Sequence, residues 1–144
     1  SDVHRMTFDK PAHGPFTPIT QVDPGSVARS TTQDHLTGET VYVTDGVGGV
    51  FGEGVLRFDE IGTEIAHSLR REQRIHDDNP LSARSIIEQS YDTLREDANL
   101  RTETRLEMWS TATDFHIQGM LRVLENGEEL RKRNWYEVIP RNLI

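Results

Sequence analysis

The chain has 144 residues, a formal net charge of −8 and no cysteine. The lack of cysteine excludes disulfides, thiolate nucleophiles and cysteine-ligated zinc. The acidic balance makes nucleic acids and anionic membrane surfaces poor partners, and no apolar run reaches the roughly 20 residues of a membrane helix. All but two of the 16 basic residues are arginine. Ion pairs between strands would explain this excess, but we attribute it to gene base composition, which gives the same bias.

The first part of the chain is interrupted by four prolines, Pro11, Pro15, Pro18 and Pro24. Proline fixes its own φ and removes a ladder donor, so it limits both helix and sheet bonding. We therefore predict an extended strap over about residues 1–30, with short edge strands.

A strand is predicted next in "ETVYVTDG", because β-branched residues dominate it, and we expect it to end in a turn at Asp45-Gly46. The stretch "GVGGVFGEGVLRF" then resumes as a strand after a glycine-rich bend. It resembles a phosphate-binding loop only superficially. A Walker loop ends in Gly-Lys-Ser/Thr, and the last glycine of the dinucleotide fingerprint would fall at Phe51. We interpret the glycines as positions of positive φ or of close backbone approach.

The stretch "TEIAHSLRREQRI" alternates with period two through Ile65, Leu69 and Ile75 and predicts a strand. "HDDNPLSAR" follows, and His76, Asp77 and Asp78 could act as ligands of a divalent ion. Adjacent aspartates on a strand point to opposite faces, however, and Asp, Asn and Pro are turn formers. We therefore predict a corner between two strands at this point.

The stretch "SIIEQSYDTL" alternates through Ile87, Tyr91 and Thr93 and predicts another strand. A helix is the alternative here, because "ARSIIEQSYDTLRED" contains helix formers with some 3.6-residue spacing. No other part of the chain supports a helix.

The clearest alternation is in "LRTETRLEMWS". Its even positions hold Leu100, Thr102, Thr104, Leu106 and Met108, and its odd positions hold Arg101, Glu103, Arg105, Glu107 and Trp109. A helix would mix the two sets on each face, whereas a strand separates them, one set towards a core and the other towards water.

"DFHIQGMLRVLENGEEL" continues this pattern through Phe115, Ile117, Leu121 and Val123, which places His116 on the outward face. Asn126-Gly127 suits a tight hairpin, because both residues tolerate positive φ. The returning strand covers 130–139, and Pro140 closes it.

These elements predict a single all-β domain over residues 1–144 with about seven or eight antiparallel strands. The expected architecture is a jelly-roll-like sandwich. A closed, lipocalin-like β-barrel is the alternative.

The sequence assigns no catalytic residue, cofactor site or metal site. No serine lies in the Gly-x-Ser-x-Gly turn that exposes a hydrolase nucleophile. Trp109 and Trp135 lie among charged residues, and tryptophan beside arginine is enriched in docking surfaces. We predict them as interface residues, with cation–π packing inside the sheet as the alternative.

Three stretches in the second half of the chain, "DDNPLSAR", "RTETRLEMWSTATDFHIQGMLRVLENGEEL" and "RNWYEVIPRNLI", resemble the C-terminal end of CocE/NonD-type hydrolases. These are the cocaine-esterase and X-prolyl dipeptidyl-peptidase-like acyl hydrolases. The resemblance implies a jelly-roll-like domain beside a catalytic α/β-hydrolase domain. The family's catalytic serine, aspartate and histidine belong to that other domain, so the resemblance gives this chain no catalytic residue.

We therefore expect a non-catalytic accessory domain from a longer polypeptide. Its partners would be an α/β-hydrolase catalytic domain or a second copy of itself, with no nucleic acid or membrane, in a bacterial cytoplasm. The alternatives are a standalone barrel that binds a small hydrophobic ligand and, more remotely, metal-assisted hydrolysis through His76, Asp77 and Asp78.

Overall fold

The computed structural model describes residues 12, 14, 17–48 and 54–142, and every regular element in them is a β-strand. The described residues form nine strands: β1 (Ile19–Asp23), β2 (Ser26–Asp34), β3 (Glu39–Val47), β4 (Val55–Phe58), β5 (Thr63–His76), β6 (Asn79–Leu94), β7 (Asn99–Ser110), β8 (Asp114–Glu125) and β9 (Glu128–Pro140). The all-β prediction is confirmed, with more strands than expected. No helix capable of crossing a membrane occurs among these residues.

All nine strands belong to one antiparallel sheet. Seven of them pair in the order β1-β4-β5-β6-β7-β8-β9, and β2 and β3 lie off this path. The long strand β5 has two neighbours on one side, because β4 pairs with its first residues and β3 pairs with the rest. β2 pairs only with β3, and β9 pairs only with β8. The sheet is therefore open, which is consistent with the predicted sandwich. The closed-barrel alternative is wrong, because the outer strands do not pair with each other.

The predicted hairpins and the strand at 85–94 are confirmed. Asp77 and Asp78 form a two-residue turn between β5 and β6, and Asn126 and Gly127 have φ values of 50° and 85° between β8 and β9. β6 is a strand where a helix was the alternative. It pairs with β5 on one side and with β7 on the other, and this double pairing satisfies its backbone without a helix.

The turn expected at Asp45-Gly46 is wrong. β3 continues through both residues, which face Arg70 and Leu69 on β5, because β5 is long enough to keep pairing with them. The chain turns at Gly48 instead, where φ is 79°. A Cβ on Gly48 would lie 2.4 Å from the Cα of Gly54, so close backbone approach requires glycine here. Residues 49–53 of the glycine-rich stretch lie outside the described residues.

The strand registers give the sheet two chemically different faces, because directly paired residues point to the same side. One side, here called the charged face, carries the odd residues of β7 and the even residues of β5, β6 and β8. The other, here called the apolar face, is defined by Ile65, Leu69, Ile75, Ile87, Tyr91, Leu100, Leu106, Met108, Phe115, Ile117, Leu121 and Val123. The predicted separation of the even and odd residues of β7 onto opposite faces of the sheet is confirmed.

The apolar face is not buried in a core, contrary to the prediction for the even positions of β7. Leu69 is the only buried apolar side chain among the described residues, with 3% exposure. Every pair of described strands in contact is a hydrogen-bonded pair. Little of the apolar face is therefore covered by other described residues, and a sheet needs a second layer to bury one of its faces.

Candidate functional site

Half-exposed apolar side chains cover the middle of the sheet on its apolar face. They include Leu106 (37% exposed), Met108 (39%), Ile75 (41%), Leu100 (43%) and Tyr91 (52%). Single exposed apolar residues are normal on protein surfaces, but a contiguous group on one face marks an interaction site. The apolar face is therefore the candidate functional site.

A pocket of about 410 Å³ lies at one end of the apolar face. Its apolar lining includes Tyr42 on β3, Ile75 on β5, Met108 on β7 and Phe115 on β8. Side chains from strands this far apart can line one pocket only if the sheet curves towards this face, as twisted sheets do. The pocket opens onto the apolar face and forms part of the same surface. It was not predicted, because its lining depends on curvature and cross-strand register.

Trp135 lies on the apolar face and covers Gly119 of β8, which is its direct cross-strand neighbour. A Cβ added to Gly119 would lie 2.1 Å from Cε2 of the indole ring. The ring therefore occupies the space that any other side chain at position 119 would need. Trp135 is half-buried in this position, so part of its surface remains available to a partner.

Trp109 lies on the charged face, opposite to Trp135. Its ring stacks on His116 with a centroid separation of 5.2 Å, and the guanidinium of Arg84 lies 5.5 Å from the Trp109 ring centroid. The Tyr136 ring contacts both of these rings, with its centroid 5.9 Å from that of His116 and 6.1 Å from that of Trp109, and its hydroxyl hydrogen-bonds His116 Nδ1. The contact between Arg84 and Trp109 is therefore the cation–π packing that was the alternative prediction for Trp109. The two tryptophans cannot contribute to one flat interface, because they lie on opposite faces.

Arginine–carboxylate pairs fill the charged face between neighbouring strands. Arg84 Nη1 lies 2.8 Å from one oxygen of Glu107, and Arg105 Nη2 lies 3.0 Å from the other. Arg101 binds both carboxylate oxygens of Asp92, at 3.1 and 3.0 Å. Arg101 also donates to Glu103 through Nε at 2.9 Å, so one planar guanidinium joins two carboxylates through different nitrogens, which lysine cannot do. The arginine excess thus has a structural role that our attribution to base composition missed.

Glu72 on β5 is the most strongly held carboxylate of this face. Arg74 donates a hydrogen bond to Oε1 and Arg70 donates one to Oε2. The hydrogen bond from Arg74 is the main cause that lowers the pKa of Glu72 below its ordinary value of 4.5, against the opposing effect of partial burial. Neighbouring arginines and carboxylates thus neutralise one another across much of this face.

The side chains of "HDDN" take part in turn contacts. Asp77 Oδ2 accepts a hydrogen bond from Gln33 Nε2 at 3.4 Å, and the backbone N–H of Asp77 donates to Gly38 O at 3.0 Å. His76 Nδ1 lies 3.3 Å from the carbonyl oxygen of Thr37. The predicted corner is confirmed. No group of three or more His, Cys, Asp or Glu residues in the described part of the chain could hold a metal ion.

The histidines that the structure describes do not form hydrogen bonds with serine hydroxyls through their rings. His116 binds Tyr136, and His67 stacks on Tyr91 with the ring centroids 4.2 Å apart. Ser68 and Ser90 instead share a hydrogen bond of 2.6 Å with each other. No protein-family model matches the chain, and no curated protein or solved structure matches it.

Proposed function

We propose that this chain is a non-catalytic accessory domain that docks through the apolar face of its sheet onto a catalytic α/β-hydrolase domain. The observation that supports this function most strongly is the open apolar face itself. A sheet with Leu69 as its only buried apolar side chain among the described residues has its hydrophobic surface arranged for a second layer.

The exposed apolar side chains can contribute free energy to docking. Complete burial of a large aliphatic or aromatic side chain is worth about 1.5–3 kcal/mol. Leu100, Leu106, Met108, Ile75 and Tyr91 are about half exposed, so each retains roughly 1 kcal/mol. The pocket beside Phe115 can accept an apolar side chain of the partner, and such anchors dominate interface energetics.

The partner class comes from the resemblance of the second half of the chain to the C-terminal end of CocE/NonD-type hydrolases. In those enzymes a β domain lies beside the catalytic domain and shapes the active-site surroundings. The described part of this chain is compatible with a role in packing, because its arginines and carboxylates pair across the charged face and leave the apolar face for the contact.

The test compares this chain with the complete product of its gene. We expect the complete product to hydrolyse p-nitrophenyl acetate and the isolated chain to show only the rate of buffer and free imidazole. In the complete product, Leu106→Glu should lower the thermal midpoint by several degrees, because it places a charge in the docking surface. Gln118→Lys on the charged face is the control for introducing a charge and should have little effect, because position 118 is exposed and lies directly opposite Glu107.

Turnover by the isolated chain, lost on substitution of one serine, would remove the proposal. So would a complete product in which Leu106→Glu and Gln118→Lys have equal effects.

A further inference from the structure

Strand β9 is a long unpaired edge of the sheet. Its only partner is β8, and all of its residues except Trp135 are exposed. The opposite edge is divided between β1 and β2, which have five and nine residues against thirteen in β9. An edge strand leaves alternate N–H and C=O groups unpaired, and such an edge is a template for pairing with another strand.

Most charges of β9 lack an ion-pair partner among the described residues; the exception is Glu129, which binds Arg122. Arg131, Lys132, Arg133 and Glu137 form no ion pair with any described residue. Arginines on the inner strands behave differently, since Arg101 and Arg105 each bind carboxylates. After Glu128 and Glu129 at its start, the strand therefore presents three basic groups at 131–133 and then an acidic group at 137. An antiparallel copy of the same strand can bring these opposite charges together.

We propose that β9 pairs with β9 of a second copy, antiparallel and centred on Asn134, so that the two sheets join edge to edge. This register places Arg131 opposite Glu137 twice, once on each side of the two-fold axis. It also places Arg133 opposite Trp135 twice, and both kinds of pair are favourable across strands. The surface is isologous, as two-fold symmetry requires.

Registers centred on the residues next to Asn134 give less favourable cross-strand pairs. Centring the pair on Arg133 would place that arginine opposite its own copy, and like charges directly opposite are destabilising. Centring it on Trp135 would place Arg133 opposite Glu137, but Arg131 opposite Ile139 and Lys132 opposite Val138. Two of the three cations would then face aliphatic side chains, whereas the register centred on Asn134 places each cation opposite a carboxylate or an aromatic ring. All three registers keep each face of one sheet continuous with the same face of the other. A pairing register shifted by an odd number of residues would join unlike faces, because side chains alternate with period two.

This pairing is independent of the proposed docking function. It uses the edge of the sheet and leaves the apolar face open. Leu106, at the centre of that face, is two strands away from β9 in the sheet order. Substitutions on the edge and on the face therefore test the two proposals separately.

The direct test uses single cysteines, because the chain has none of its own. In the proposed register Asn134 faces itself with the Cα atoms about 5 Å apart, within the range of a disulfide. Asn134→Cys should form a covalent dimer rapidly on mild oxidation. Lys132→Cys, on the same strand and face, is the matched control, because its Cα atoms would be about 13 Å apart. Equal cross-linking of the two variants would overturn the proposal.

Charge exchange provides the second measurement. Arg131→Glu and Glu137→Arg each create like-charge pairs across the axis and should raise the dimer dissociation constant about tenfold or more in sedimentation experiments. The double variant R131E/E137R restores opposite charges and should restore association. Both residues are exposed and unpaired within the described chain, so the fold should tolerate the changes. Unchanged association in the single variants, or dimers lost only on Leu106→Glu, would refute the edge pairing.

Discussion

Gly119 is a position on the apolar face at which packing leaves no room for a larger side chain. The indole of Trp135 occupies the position of the missing side chain, and Gly119 itself is buried. Glycine in a strand ordinarily weakens it, because it has no side chain to pack and loses more entropy on folding. Here the aromatic ring of the next strand covers the glycine and supplies the packing that the glycine lacks.

Gly119→Ala should destabilise the protein by about 1–3 kcal/mol, because the new Cβ would force the indole of Trp135 off the sheet. The sign is informative, since alanine is otherwise the better residue in a strand interior. Urea unfolding gives the free energy, and the tryptophan emission should shift to longer wavelength. Gln118→Ala, next in the chain but on the opposite face and exposed, should change the free energy by less than about 0.5 kcal/mol. Stabilisation by Gly119→Ala would contradict the account.

The carboxylate of Glu72 makes stability depend on pH. Arg74 lowers its pKa below 4.5 in the folded chain by hydrogen bonding to the ionised form. The stabilisation is therefore present above the ordinary pKa and is lost as the pH falls through the lowered value. Glu72→Gln should reduce the fall in unfolding free energy between neutral pH and about pH 3, measured by urea titration.

Glu60→Gln is the control for this prediction, because it removes an exposed carboxylate, in the turn between β4 and β5, that forms no ion pair within the described residues. It should leave the loss of stability on acidification close to that of the unaltered chain. An equal effect of the two substitutions would show that the Arg74–Glu72 contact is not responsible.

The individual strands were predictable from the sequence, because alternation is a local property. Ile65, Leu69 and Ile75 repeat with period two, and they lie on one face of β5 as expected. Asn126-Gly127 was predictable because its left-handed backbone favours these residues. The end of β3 was not, because Asp45 and Gly46 remain in the strand only through their pairing with the long neighbour β5.

Features that depend on register could not be predicted from single strands. Trp109 meets His116 because β7 and β8 pair in one particular alignment, and nothing within either strand states that alignment. The stack with Tyr136 and the pocket beside Phe115 arise in the same way. Burial was predicted wrongly for Leu106 and Met108, because alternation shows that residues share a face but not that another layer covers it.

The described part of the molecule is one curved sheet with three distinct surfaces. Its charged face is occupied by arginine–carboxylate pairs, its apolar face is open, and its β9 edge is unpaired. The proposed docking uses the open apolar face, and the proposed pairing with a second copy uses the edge. The separation of these surfaces allows both contacts at once.

Thiol accessibility at position 106 tests the docking face most directly, since the chain contains no cysteine. Leu106→Cys and the control Gln118→Cys, on opposite faces of neighbouring strands, are made both in the isolated chain and in the complete gene product. Maleimide labelling is then followed by peptide mass spectrometry. We predict that position 106 labels quickly in the isolated chain and at least about tenfold more slowly in the complete product, while position 118 labels quickly in both. Equally rapid labelling of position 106 in both proteins would contradict the account.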